Sequence, residues 1–429
     1  MIEWTLIIAI AMALCAYCWR SYDVYRTWFS PATHYLLRWL FLLVLFRLNF
    51  LDYDPVTPLT WSVIALSVLS FLTGCTVSML GIRPDHAKNG KTVISSRLRA
   101  AIEPSRLRIG TYALFLVGAA FFIVYMRNLP GGLSFSSALG DLSLIRADLR
   151  EEVIPGFHYF YFMELVAYLC VLHLFLWPKA TPQALMLILL LAMISLLYTT
   201  AKVNIMKVII WSVFTFMYLN LHRLDLRTLL KITAMLLSVV AFVFTGLVLS
   251  EGSDLAAVES GTIESTVLML AYLYMSAPVG VLDKLLHDPS LVHTFGTYTL
   301  QPIMKILQAT GLDVVAPSHI GDFYFTPVPA NIATYLDLMY KDFGILGPAL
   351  MPGLIGFFCT QVYSRLFRER IGLFAFSLNT ILALTVFSST SAANYMKPSY
   401  WFQVMALYIL SAYCQRPITN RTSVFISSS

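Results

Sequence analysis

The feature that most constrains this chain is a series of apolar runs that reach the roughly 20 residues needed to cross the hydrocarbon core of a bilayer. A bilayer core offers no partner to an open backbone amide, so such runs can only be membrane helices. Hydrophobic residues make up 58% of the 429 residues and charged residues only 12%, about half of the usual charged share in soluble proteins. The composition therefore excludes a soluble protein and predicts an all-α polytopic membrane protein.

Hydropathy predicts eleven transmembrane segments within a single integral membrane domain, residues 1–429. The segments are 2–19, 34–51, 59–81, 109–128, 157–177, 183–201, 205–221, 231–250, 345–364, 371–391 and 399–414. The first of these has neither a preceding basic region nor a small-residue cleavage site, so we expect a retained helix. A further apolar run, 263–286, would move the basic residues of 365–370 to the opposite side of the membrane if it crossed. We interpret it as a re-entrant or surface-lying helix.

The basic residues between these segments predict the orientation of the chain. The connection 82–108 carries seven Lys and Arg residues and is therefore assigned to the cytoplasm. Counting outward from it puts 18 of the 29 basic residues on the same side, with the N-terminus outside and the C-terminus in the cytoplasm. Residues 251–344 then form one large outer loop between the eighth and ninth segments. The net charge of +6 reflects orientation, and we expect no nucleic-acid partner.

The stretch 318–347 is where the sequence concentrates polar, charged and aromatic residues between membrane segments. Prolines 317, 327 and 329 prevent its first half from forming one regular helix. His319, Asp322 and Asp342 are candidates for a general base that takes a proton from a sugar hydroxyl. Two alternatives remain open: His319 as an ordinary solvated histidine, and Asp342 as the cap of a helix at the start of the ninth segment.

Aromatic side chains of the same stretch are candidates for stacking on sugar rings, because they offer broad apolar faces with a polar edge. Tyr324, Tyr335 and Tyr340 are the tyrosines among them. The alternative is that these aromatic residues belong to the belt that anchors membrane proteins at the interface.

Two pairs of basic residues on the predicted outer side are candidates for binding a lipid-linked pyrophosphate. Arg146 and Arg150 lie four residues apart on a predicted amphipathic surface helix, and guanidinium groups present planar forks of donors to phosphate. Lys202 and Lys207 lie at the turn between the sixth and seventh segments. The alternatives are pairing of the arginines with neighbouring acidic residues and snorkelling of the lysines to lipid headgroups.

Other charged residues fall at membrane depth or in the first outer loop. Glu164, Arg38 and Arg47 lie within or near apolar segments, so we expect them to pair with polar groups of the bundle. Asp52 and Asp54 form a D-x-D pattern that could bind a metal or act as a base, although this spacing is common by chance.

The segment NIATYLDLMYKDFGILG, residues 331–347, resembles the late outer-loop signature of bacterial oligosaccharide repeat-unit polymerases, the Wzy-type O-antigen polymerases. The matching positions are Asn331, Thr334, Tyr335, Tyr340, Asp342, Phe343, Gly344 and Gly347. The number of segments and the large outer loop in the C-terminal half also match that family. One position departs from it: Lys202 stands where an arginine is expected, and lysine lacks the bidentate fork.

The resemblance implies a periplasmic active site in a bacterial inner membrane and a metal-independent inverting glycosyltransferase. Such an enzyme joins undecaprenyl-pyrophosphate-linked oligosaccharides into O-antigen or a related surface polysaccharide, a step of lipopolysaccharide biosynthesis. It needs no cofactor, contacts membrane lipid and depends on a co-polymerase for chain length. The signature adds Asn331 and Thr334 to the glycan-binding candidates. The alternatives are a lipid-linked oligosaccharide flippase or other transporter, and an O-antigen ligase.

Overall fold

The computed structural model describes residues 2–81, 94–128, 154–198, 202–221, 263–317, 324–330, 332–367 and 371–415, and most of these residues are helical. In chain order the first helices are α1 (Ile2–Tyr25), α2 (Pro31–Leu48), α3 (Pro58–Leu80), α4 (Ile94–Ala101), α5 (Pro104–Arg127), α6 (Tyr159–Leu176), α7 (Gln183–Leu197) and α8 (Lys202–Leu219). They are followed by α9 (Ile263–Leu286), α10 (Gln301–Ala309), the antiparallel strands β1 (Tyr324–Thr326) and β2 (Val328–Ala330), α11 (Tyr335–Phe343), α12 (Leu346–Ser364), α13 (Leu373–Ser388) and α14 (Pro398–Cys414).

Every predicted transmembrane segment except 231–250 coincides with one of these helices, and 231–250 lies outside the described residues. Among the described residues, five helices are long and apolar enough to cross a bilayer: α1, α3, α5, α6, and α12 with the turn that follows it. Three shorter apolar helices, α7, α8 and α13, accompany them. The all-α class is confirmed. The count of eleven segments, the periplasmic loop and the orientation remain predictions.

Helices α3 and α12 pack against each other along much of their length because glycines let their backbones approach. A methyl group on Gly74 of α3 would lie 1.9 Å from the carbonyl oxygen of Gly353 in α12. At the start of α12, Gly347 packs as closely on the preceding helix, where a methyl group would lie 2.1 Å from the Met339 carbonyl oxygen. The turn between them uses Gly344 at φ 55°, a backbone conformation that favours glycine. These close approaches fix α11 on the bundle.

A second group of helices has α6 at its centre, packed on α5, α7 and α8. Tyrosine hydroxyls join its ends: Tyr159 of α6 donates to the Ser195 carbonyl at 2.9 Å, and Tyr125 of α5 donates to the Tyr198 carbonyl at 3.1 Å. Helix α14 contacts α5, α6 and α13, so it connects this group to the rest of the bundle.

Helix α9 crosses from the end of α2 to the start of α3. Its Tyr272 hydroxyl donates to the Leu45 carbonyl at 2.8 Å, and Ser276 bonds the Tyr53 hydroxyl at 2.8 Å. Eleven residues beyond Tyr272, or about 16 Å at the α-helical rise, Asp283 accepts hydrogen bonds from the first residues of α3. These contacts favour the surface-lying interpretation of 263–286, and its relation to the bilayer stays a prediction.

Candidate functional site

Two buried carboxylates mark the end of the bundle at which α3, α6, α8 and α14 begin, which we call the site end. The Asp342 cluster consists of Asp342 with Thr294, Tyr298 and Thr299. The Glu164 cluster consists of Glu164 with Lys207, Lys397 and Gln403. Both carboxylate residues are 0% exposed, so each must find its partners within the protein.

In the Asp342 cluster, four donors from one short segment satisfy the carboxylate. Oδ1 accepts from the Thr294 hydroxyl at 2.7 Å and from the Tyr298 backbone N–H at 3.0 Å. Oδ2 accepts from both the backbone N–H and the hydroxyl of Thr299, each at 2.6 Å. Asp342 therefore fastens residues 294–299 to helix α11.

This geometry tests the two interpretations of Asp342, as a general base and as a helix cap. The residue lies in the last turn of α11, and α12 begins after Ile345 without a side-chain cap. The alternative that Asp342 caps the helix of the ninth segment is therefore wrong. Its two oxygen atoms are already bonded, so a substrate hydroxyl would have to displace one of the four donors before Asp342 could accept its proton.

Thr334 and Tyr335, predicted to bind glycan, are buried in structural contacts. The Thr334 side chain caps α11 by accepting from the Leu336 N–H, and its hydroxyl donates to Asp337. The Tyr335 hydroxyl bonds that of Tyr35 at 2.7 Å, and the ring is 2% exposed. Neither side chain can contact a sugar in this arrangement, because the fold has buried both inside the bundle.

Tyr324 and Tyr340 differ, because both are only half-buried. Tyr340 packs edge-on against His293, with ring centroids 5.5 Å apart. The Tyr324 hydroxyl donates to Asp288 at 3.2 Å. These two tyrosines remain available as sugar-stacking residues.

In the Glu164 cluster, a lysine and an amide converge on one carboxylate oxygen. Lys207 Nζ and Gln403 Nε2 each lie 2.5 Å from Glu164 Oε2. They come from α8 and α14, so the carboxylate of α6 ties three helices together. The expectation that Glu164 pairs within the bundle is confirmed, and so is that for Arg38, which donates to Thr390 at 2.8 Å.

Lys397 adds a second cation to this cluster from the connection that precedes α14. It lies within electrostatic range of both Lys207 and Glu164. Desolvation, reinforced by the charge of Lys207, lowers the pKa of Lys397 to about 8. Sequence reasoning missed Lys397 and Gln403. The available signal was a lysine in a short connection on the predicted outer side and a glutamine inside an apolar run.

The connection 389–397 links the two clusters. The Ser389 carbonyl accepts from the Tyr335 backbone N–H at 2.9 Å, which joins this connection to α11. Tyr395 lies within electrostatic range of Asp342, and Lys397 follows two residues later. The clusters are therefore adjacent parts of one polar region at the site end.

Several predicted site residues lie outside the described residues: His319, Asp322, Arg146, Arg150 and Asn331. Lys202 is the first residue of α8. Among the residues that the structure describes, no group of three or more His, Cys, Asp or Glu side chains is placed to hold a metal ion. Asp54 of the D-x-D pattern instead pairs with Lys284 at 2.9 Å.

No family model matches the chain, and no curated protein or solved structure shows significant similarity to it. The fold and the site define a mostly α-helical protein whose apolar helices suit a membrane.

Proposed function

We propose that this protein is a membrane glycosyltransferase that polymerises oligosaccharide repeat units linked to undecaprenyl pyrophosphate, at the periplasmic face of the inner membrane. The observation that carries the proposal is the Glu164 cluster, a lysine-rich buried site at the end of an apolar bundle. Residues 294–299, predicted to lie on the outer side, are fastened by Asp342 in the same polar region. An apolar bundle suits a polyprenyl chain, and buried cations suit the pyrophosphate at its end.

The reaction assigned to this region is an inverting displacement. The acceptor hydroxyl oxygen forms a bond to the anomeric carbon of the donor glycan, and the bond from that carbon to the pyrophosphate oxygen breaks. The leaving pyrophosphate takes the electron pair, and positive side chains stabilise its charge. Lys207 has this role in the proposal, together with Lys202, Arg146 and Arg150.

The proton of the acceptor hydroxyl goes to a general base. Asp342 is the weakest of the three candidates, because four donors already occupy its oxygens. His319 and Asp322 are therefore the preferred bases, and Tyr324 and Tyr340 are the preferred stacking residues for the glycan.

The decisive experiment supplies purified protein in lipid nanodiscs with a lipid-pyrophosphate-linked repeat unit and separates the products on a gel. A ladder of polymer is expected from the native chain and none from Lys207→Met or His319→Gln. Lys284→Met is the matched control, because Lys284 pairs with an exposed carboxylate away from the cluster. Repeat units that stay single with the native chain, under conditions where it binds them, would refute the proposal.

A transporter is the second candidate, favoured by polar side chains inside the bundle. Both ring nitrogens of His34 are buried without a hydrogen-bond partner within the described residues, and Arg38 is four residues further along α2. Polar groups of this kind line the paths of transporters. Deleting the gene separates the candidates: loss of a polymerase leaves lipid A core with one repeat unit, loss of a flippase leaves none, and loss of a ligase leaves polymer on the carrier lipid.

A further inference from the structure

We propose that Lys207, Lys397 and Gln403 form a binding site for a phosphate or pyrophosphate group, and that Glu164 is the internal anion that occupies this site until the ligand binds. The inference deepens the proposed function and rests on it for the identity of the ligand. Lys207 and Gln403 are assigned from their 2.5 Å contacts with Glu164 Oε2, and Lys397 from its position directly before α14, the helix that carries Gln403.

The first observation is that the hydrogen bonding of this cluster is incomplete. Oε2 of Glu164 receives both donors, whereas Glu164 Oε1 and Gln403 Oε1 have no hydrogen-bond partner within the described residues. A buried polar atom without a partner costs free energy. The cluster is therefore arranged less favourably than a purely structural one, unlike Asp342, whose oxygens are fully used.

The second observation is the charge balance. Lys207 and Lys397 bring two positive charges to one carboxylate, and Lys397 makes no ion pair within the described part of the chain. Among the described residues, Tyr161 on the same helix also lies within electrostatic range of Glu164. A further anion would offset the excess positive charge. A phosphate group offers several acceptor oxygens and can engage both lysines and the Gln403 amide at once.

The third observation is the order of burial. Lys207 and Lys397 are half-buried, whereas Glu164 and Gln403 are each 0% exposed. An anion that approaches from the site end therefore meets the lysines before the carboxylate. The Trp211 ring lies 5.1 Å from Lys207 Nζ and helps to hold the ammonium in place.

Glu164 acts through the lysines and is therefore a positioning residue. Without a ligand it stabilises two half-buried cations that would otherwise repel each other. With a ligand bound, its charge opposes the incoming anion, so it limits the affinity. Removing this carboxylate should therefore strengthen anion binding. If Glu164 belonged to a purely structural ion pair, its removal would weaken or abolish anion binding.

The test measures binding calorimetrically, with purified full-length protein in nanodiscs of neutral lipid. The probes are inorganic pyrophosphate and a short-chain prenyl pyrophosphate. Glu164→Gln should bind them about tenfold more tightly, because a like charge near the ligand is gone. Lys397→Met and Gln403→Leu should each bind about tenfold more weakly, and Lys284→Met should bind as the native chain does.

Two further arms identify the source of the phosphate. Binding of both probes indicates a site for phosphate itself, and binding of the prenyl compound alone indicates a lipid-linked headgroup. Nanodiscs containing an anionic phospholipid without a diphosphate show whether ordinary headgroups compete for the site. Each of these patterns supports the anion site.

The proposal is overturned if neither probe binds the native chain, or if Lys397→Met leaves binding unchanged. Glu164→Gln binding no more tightly would show that Glu164 is only a structural partner. Should Glu164→Gln fail to fold, Lys397→Met still decides, because it breaks no ion pair of the described residues. Binding without polymer formation would retain the anion site and refute the polymerase. If Lys397→Met formed polymer as the native chain does, the polymerase would be retained and the anion site refuted.

Discussion

The Asp342 and Glu164 clusters contain two buried carboxylates at the same end of the molecule that are satisfied in opposite ways. Asp342 is held by four neutral donors, all from residues 294–299. Glu164 is held by a cation and an amide from two other helices, on one oxygen only. In the first arrangement each carboxylate oxygen accepts two hydrogen bonds. In the second, Glu164 Oε1 has no hydrogen-bond partner within the described residues, and two lysines bring more positive charge than one carboxylate offsets.

The comparison shows how to separate a structural carboxylate from a functional one when both are buried. Neutral hydrogen bonds from one segment stabilise the fold and leave nothing for a ligand. A buried ion pair contributes little net stability, because desolvation offsets the attraction between the charges. Its retention at the site end is more easily explained by binding than by stability.

The largest effect is expected from breaking the ion pair of the Glu164 cluster. Lys207→Met removes the ion pair of the buried Glu164 carboxylate and leaves the Gln403 amide as its one hydrogen-bond donor within the described residues. This change should lower the free energy of unfolding by about 3–5 kcal/mol. The double variant Lys207→Met/Glu164→Gln should recover most of this loss and still bind no pyrophosphate. Unfolding curves in detergent measure the cycle. A single variant as stable as the double would show that the pair is not buried as described.

A somewhat smaller effect is expected from Asp342→Asn. In either orientation of the amide, its NH2 group faces a backbone N–H that had a carboxylate oxygen as acceptor, so we expect a loss of about 2–4 kcal/mol. Protease cleavage around residues 294–299 and the thermal midpoint measure the loss. Asp313→Asn, an exposed aspartate beyond α10, is the matched control. Unchanged stability with loss of polymer would instead identify Asp342 as the base.

These contrasts also show what the sequence could and could not predict. Apolar runs gave the helices, because each helix in a bilayer must be apolar over its own length. The polar contacts of Glu164 and Arg38 within the bundle followed from their position inside such runs. The partners did not follow, because Lys207, Gln403 and Lys397 lie far apart in the chain and meet only through the packing of α6, α8 and α14.

In the stretch 318–347, the sequence suggested more functional residues than the structure supports. Its polar composition suggested a catalytic surface. Thr334, Tyr335 and Asp342 are instead buried, and their contacts hold α11 in place. Composition alone cannot distinguish a polar residue that faces a substrate from one that holds a short helix onto a bundle. Only Tyr324 and Tyr340, among the predicted residues described there, are half-buried and not fully buried.

A third prediction concerns pH and Asp337, which neighbours the Asp342 cluster on α11. Burial raises the pKa of the Asp337 carboxyl to about 7, well above the unfolded value near 3.9. Between these values the folded state retains a proton that the unfolded state has released, so stability falls as pH rises from about 4 to 7. Asp337→Asn should remove this slope and stabilise the folded state at pH 8, with no gain at pH 4. Thermal midpoints of both chains across this range check it, and parallel curves would contradict it.

The smallest effect is expected from the exposed pair of Asp54 and Lys284. Comparing it with the Lys207–Glu164 pair tests whether burial determines how much a lysine–carboxylate pair contributes to stability. Their side chains are 75% and 41% exposed and lie 2.9 Å apart. An ion pair in water is screened and gains little over its hydrated partners, so Asp54→Asn should cost about 0.5 kcal/mol or less. The same unfolding curves and a polymer gel in the presence of a chelator measure both stability and any metal dependence of the D-x-D pattern. A cost comparable to that of Lys207→Met would mean that proximity, and not burial, makes the lysine–carboxylate pairs of this protein matter. A chelator-sensitive loss of polymer would restore Asp52 and Asp54 as metal ligands, because an ion pair with Lys284 alone has no reason to respond to a chelator.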